Sequence, residues 1–202
     1  MANVNTGYGL VPIRSIGGWN GETITCVALA AYGTALYVGD PVLLGGDGLG
    51  AYPSVIIAIG SEGTESENIY GVITGFEPTD PDSLNVLYGA ASTARTVHVV
   101  PALPHTLFRV NASNTTGPNP ADLGLNFDLV SGAGSTLTGK SGWQLDVGED
   151  SNAGATTGRQ MRLESFVNRP DNEIGASGTD TAGIDCIVSF FESHWIAGAG
   201  VS

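Results

Sequence analysis

Residues 139–175, GKSGWQLDVGEDSNAGATTGRQMRLESFVNRPDNEIG, decide how the chain is read. Within them Arg159 to Val167 is patterned: Met161, Leu163 and Val167 fall on one face at period two, and Gln160, Arg162, Glu164 and Asn168 on the other. Phe166 breaks the alternation. The pattern predicts a half-buried strand. A short helix is the rival, because Leu163, Phe166 and Val167 also fit i, i+3, i+4. Gly158 and Pro170, however, leave room for only about three helical turns. Pro170 fixes φ and disfavours the helical region for Arg169, so a turn is predicted at Arg169-Pro170-Asp171-Asn172.

Just upstream, Gly134-Ser-Thr-Leu-Thr-Gly139-Lys140-Ser141 satisfies the letters of a P-loop, G-x-x-x-x-G-K-[ST]. The mechanism needs a helix after the loop, whose N-terminal amides hold the phosphates. Gly142, Asp146, Val147 and Gly148 do not build one. The segment reads as a polar turn between strands, with Phe127 to Val130 as the strand before it.

Working outward, the rest of the chain has the same grain. Strands are expected at Glu22–Ala30, at Leu36–Leu44 as two short pieces hinged on Gly39-Asp40-Pro41, and at Ser54–Ile59 and Ile69–Phe76. Further strands are expected at Thr93–Val100 and Thr106–Asn111. Ala121 to Val130 reads as one helical turn before an extended LNFDLV. GGDGLG at Gly45–Gly50 reads as a hairpin connection, its single Asp47 lacking the spaced acids of a calcium loop. Glu62, Glu65 and Glu67 read as a solvated loop tip. In Ile184–Ile196, Ile184, Cys186, Val188 and Phe190 lie on one face and Ile187, Phe191 and Trp195 on the other. Apolar character on both faces predicts a central strand, a barrel interior or a subunit interface.

The 202 residues suit one domain, or a domain with extended arms, and thirty glycines and ten prolines against 13% charged residues favour many tight turns. The expected fold is all-β: a single compact β-barrel or β-sandwich-like domain over residues 22–202, preceded by an extended N-terminal arm, residues 1–21. Tyr8, Leu10, Val11, Pro12 and Ile13 make that arm too apolar for a disordered tail. It is expected either to order against a partner or to fold onto its own domain as a peripheral strand.

A net charge of −13 with a single lysine argues against nucleic acid and anionic membranes as partners, and suits either simple solubility or docking on a basic surface. No apolar run approaches the ~20 residues of a membrane helix, and no basic-then-apolar leader is seen. Cys26 and Cys186, far apart and flanked by apolar residues, read as small core residues without metal-ligand spacing. His98, His105 and His194 belong to no H-E-x-x-H, and C-x-x-C and G-x-S-x-G are missing. No enzymatic activity and no cofactor are expected. Carboxylates brought together from distant positions on a β scaffold are the least implausible catalytic alternative.

Three segments, MANVNTGYGLVPIRS, GAGSTLTGKSGWQLD and RLESFVNRPDNEIG before a terminal apolar strand, resemble small head proteins of tailed bacteriophages: decoration, or cement, proteins encoded near the major capsid protein. The R-P-D-N turn and the start MAN-x-N-x-x-Y-G-L-x-P carry most of the likeness. The resemblance implies a virion protein without catalysis. It would be assembled in the host cytoplasm and sit as a homotrimer on the outer surface of an icosahedral capsid, clamping capsomers through contacts with the major capsid protein and with itself. On that reading Tyr8, Leu10, Val11, Pro12 and Ile13 would contact capsid or neighbour, and Trp143, Phe191 and Trp195 would serve core or subunit contacts. Arg169 and Asp171 would hold their turn. A carbohydrate- or receptor-binding β module of a phage particle is the alternative.

Overall fold

A computed structural model describes residues 3–16, 21–46, 50–58, 68–78, 82, 86–113, 117–147, 159–174 and 183–196. The described residues contain strands and one 3-10 turn, with no α-helix. The strands are β1 (Val11–Ser15), β2 (Ile24–Ala28), β3 (Leu36–Tyr37), β4 (Pro41–Leu44), β5 (Val55–Ile57), β6 (Gly71–Phe76), β7 (Tyr88–Gly89), β8 (Arg95–Pro101), β9 (Thr106–Asn111), β10 (Asn126–Val130), β11 (Gln144–Asp146), β12 (Met161–Phe166) and β13 (Asp185–Phe190). They form a six-stranded sheet, β1-β9-β13-β12-β10-β11, a five-stranded sheet, β2-β8-β6-β4-β5, and the ribbon β3-β7, with every strand pair antiparallel.

The apolar alternation of the central strands builds the core. In register, Phe108 lies opposite Val188, Val110 opposite Cys186, Val188 opposite Leu163 and Met161 opposite both Phe190 and Phe127. Side chains directly opposite share a face, so these residues form one apolar layer, with Phe108 and Phe190 meeting edge to face at 5.1 Å. The layer packs on Val72 and Val100 from the five-stranded sheet, giving a shared core. That sheet buries its second face too: Cys26, Val42, Val55, Ile73, Val97 and Val99 cluster under Leu36 of the ribbon.

Each sheet curls towards its own edge. Val27 N donates to Pro53 O at 2.9 Å across an isolated parallel bridge between β2 and the start of β5, and Ser113 N donates to Leu145 O at 2.8 Å in the other sheet. These single bridges do not amount to a continuous ladder. The architecture is therefore sandwich-like rather than a closed barrel.

The expected strand at Arg159–Val167 is β12, and its irregular Phe166 has a physical cause. A register shift between Leu163 and Ser165, a β-bulge, resets the alternation, so Phe166 lies opposite Cys186 and packs against the core. The helical turn expected near Ala121 is the 3-10 turn Pro120–Asp122. There Asn119 accepts from Ala121 N at 2.9 Å while Asp122 accepts from Asn119 N at 2.8 Å, a capping box. Gly45–Gly50 joins the paired strands β4 and β5, although Asp47 lies outside the described residues. The loop carrying Glu62, Glu65 and Glu67 also lies outside them.

The run Ile184–Ile196 is shorter as a strand than its apolar pattern suggested. β13 is central, between β9 and β12, but ends at Phe190. Phe191 N donates to Gln160 O, His194 N to Ile69 O and Ser193 Oγ to Ala102 O, so the chain leaves the sheet and caps the shared core. Trp195 thus belongs to a closing turn, not to the second face of a strand.

Candidate functional site

The N-terminal segment is threaded through the body of the protein. A Cβ on Gly7 would overlap the carbonyl of Gly142. Gly9 has φ +76°, and a Cβ there would lie 2.6 Å from Gly39 O. Only glycine passes at this spacing and this left-handed φ. Gly9 N donates to Trp143 O at 3.1 Å and Leu10 N to Gly39 O at 2.9 Å, which fixes the thread on both sides. Leu10 then enters the core, and Val11–Ser15 adds to β9 as the outermost strand of the six-stranded sheet. The residues expected as an arm therefore lie on their own domain from Asn3 to Ile16.

Tyr8, held between those glycines, points at a buried carboxylate. Its hydroxyl donates to Asp185 Oδ1 at 2.8 Å. The same oxygen accepts from Asn111 Nδ2 at 3.1 Å, and Oδ2 accepts from Arg169 Nη2 at 2.8 Å. Asn111 spends its remaining capacity on Thr6 N, Gln144 Nε2 and Gly183 O. Asn172, from the R-P-D-N turn, clasps the backbone of Asp185 in both directions: its Oδ1 accepts from Asp185 N and its Nδ2 donates to Asp185 O. Three segments distant in sequence thus converge on one carboxylate, and their donors offset the cost of burying it. Burial first, and then the bond to Asp185, push the Tyr8 phenol well above its ordinary range. It remains a donor at all physiological pH.

The Arg109 guanidinium lies over the Tyr8 ring at 5.1 Å, a cation–π contact. Tyr8 and Arg109 together form a wall between two clefts. One, of about 440 Å³, is polar and reaches Asn111, Arg169, Asp171 and Asp185. The other, of about 320 Å³, runs beside β1 and is lined mainly by Leu10, Val11, Pro12, Val38 and Ile73, with Lys140 on its border. Asp40 lies beneath the thread, 1% exposed, where it accepts from Tyr37 N at 2.7 Å. Burial raises its carboxyl to about 6, against the opposing bonds from Ser141 and Tyr37.

The other expected contact residues scatter. Trp143 and Leu10 are both buried in the core, which for Trp143 is the core place of its two expected ones. Val11 and Pro12 are half-buried along the apolar cleft, and Ile13 is 40% exposed at the β1 bulge. Phe191 is half-buried beneath the Arg162 guanidinium, 5.1 Å away. Trp195 is 41% exposed, donates Nε1 to Tyr70 O at 2.7 Å and packs on the Tyr70 and His194 rings. Arg169 and Asp171 do pair in their turn, at 3.2 Å, but the shorter bond of Arg169 is to Asp185.

The P-loop letters form a turn. Gly139 N donates to Ser135 O and Ser135 N to Lys140 O, and β11 follows where a nucleotide site would need a helix. His98 lies 3.6 Å from Glu77 on β8. Cys26 and Cys186 are buried unpaired thiols, and burial raises that of Cys26 to about 11. Among the described residues no group of three or more His, Cys, Asp or Glu is placed to hold a metal.

Sequence reasoning missed Asp185, Asn111 and Arg109. The signal for Asp185 was present: a carboxylate inside the apolar run IDCIVSF must be buried, and a buried charge needs partners. Which partners it would find was not legible. Comparison of the chain with protein families, with characterised proteins and with solved structures finds no match.

Proposed function

We propose that this protein is a structural component of a phage particle, a decoration or cement protein that binds the outer surface of an icosahedral capsid and stabilises contacts between capsomers as a homotrimer. The observation that carries the reading is the course of residues 3–16. The thread Gly7–Leu10 is locked in the body, and the edge strand that follows, with the turn after it, presents Ile13 and Ile16, 40% and 67% exposed. A rigid, partly apolar edge is a contact surface whose ordering cost has already been met in the fold. Repeated on a lattice, modest contacts of this kind multiply through avidity.

The test is quantitative protein content of purified particles of the parent virus, before and after mild heat and chelator treatment. The reading expects the chain in amounts comparable to the shell protein, with shells becoming fragile when it is lost. A handful of copies per particle, or none, rejects it.

One observation favours the carbohydrate- or receptor-binding alternative. Tyr37 and Tyr88 stack at 5.4 Å and 14° on the ribbon, and Leu87 at its edge is 46% exposed. Glycan binding that Tyr88→Ala abolishes would support that role instead.

A further inference from the structure

We propose that the cleft beside β1 is a binding site for a carboxylate carried on a short apolar body, held by Arg109 with Lys140 at its border. The chain has only seven basic residues, and two of them line this one cleft. His98, Arg159 and Arg169 are each engaged in an ion pair. Arg109 Nε is buried and makes no hydrogen bond, while its guanidinium is steadied by the Tyr8 ring. A cation fixed at the wall of an apolar recess is the arrangement in which a charge-assisted bond is strong, because little water competes for it.

The chemistry of the lining narrows the ligand. A planar guanidinium matches the two oxygens of a carboxylate. Asp185 lies on the far side of Tyr8, and the molecule carries −13 overall, so a doubly charged phosphate meets more repulsion than a carboxylate. Val11, Pro12 and Val38, half-buried along the cleft, offer the remaining surface to an aliphatic body. The carboxylate has two possible sources: a free small acid, or an acidic side chain of an extended segment laid along the open edge of β1. The proposal does not rest on the decoration reading.

The experiment is a titration of the isotope-labelled full chain with hexanoate, followed by amide NMR, with hexanol and sulfate as controls. Hexanoate is expected to shift the amides of Val11, Gly39, Ile73 and Thr74 saturably, and neither control to do so. Arg109→Gln is expected to raise Kd at least about tenfold. Lys140→Gln, at an exposed position that leaves the fold intact, raises it about two- to fivefold. Absence of saturable shifts, equal binding of hexanol, or a Kd unchanged in both variants overturns the proposal. The capped peptide acetyl-Val-Glu-Val-Glu-amide separates the sources. Tighter binding than hexanoate at the same amides points to a protein segment, and equal or weaker binding points to a free acid.

Discussion

Asp185 shows how one side chain holds distant parts of a β-protein together. Its two oxygens receive Tyr8 from the N-terminus, Asn111 from β9 and Arg169 from the turn after β12. Asp185→Asn leaves Arg169 without its closest carboxylate and offers the wrong group to one of three donors. The expected cost is about 2–4 kcal/mol. Tyr8→Phe removes one charge-assisted bond and keeps the ring under Arg109, for about 1–2 kcal/mol. Urea denaturation at constant m-value should rank the two variants in that order, and a milder Asp185→Asn would contradict the role given to the cluster.

Asp40 makes a different prediction at the same scale. Its folded-state carboxyl is raised to about 6 from an ordinary 3.8, so the folded chain binds this proton more tightly than the unfolded chain does. The contribution is full below about pH 4 and is lost as pH rises from about 4 to about 6, on the order of 2–3 kcal/mol in all. Asp40→Asn keeps an acceptor for Tyr37 N and removes the titration. The difference in Tm between wild type and variant should therefore change across that window and be flat above it.

At the scale of elements, a single inserted residue and two missing Cβ atoms decide the geometry. The bulge in β12 lets Phe166 reach the core out of phase with Met161 and Leu163. The thread through Gly7 and Gly9 exists because two backbones approach where no side chain fits. Gly9→Ala combines a left-handed φ with a clash against Gly39 O, and about 2–4 kcal/mol is expected. Gly124→Ala is the control. Its φ is +84° but nothing lies within 4 Å of the added Cβ, so only the conformational part, about 1 kcal/mol, remains. Equal losses in thermal unfolding would show that the thread is not tightly enclosed.

At the scale of the whole molecule, two curled sheets share one core, and the surface left over determines what the protein can meet. Ile16 is 67% exposed and Ile13 40%, so Ile13→Asp with Ile16→Asp should lower stability by no more than about 1–2 kcal/mol, most of it from Ile13. On the decoration reading the same double variant should release the chain from capsids in a sedimentation assay. Deleting the segment outright is a poorer test, because it also removes Leu10 from the core and Tyr8 from Asp185.

The sequence by itself determined the class of the fold and most of its strands. Period-two alternation, β-branched residues and glycine–proline punctuation are local consequences of backbone geometry, and they placed β12, the β3–β4 hinge at Gly39-Asp40-Pro41 and the turn before β10. They also marked Trp143 and Leu10 as apolar, which burial explains without any partner. Only the tertiary structure decided that Tyr8, Asn111, Arg169 and Asp185 meet, that residues 7–10 run inside the body, and that the last apolar run leaves its sheet at Phe190. Those facts depend on pairings between residues up to 177 positions apart. Local pattern carries no record of which distant donor will satisfy a buried acceptor, because that choice is made by sheet order and register.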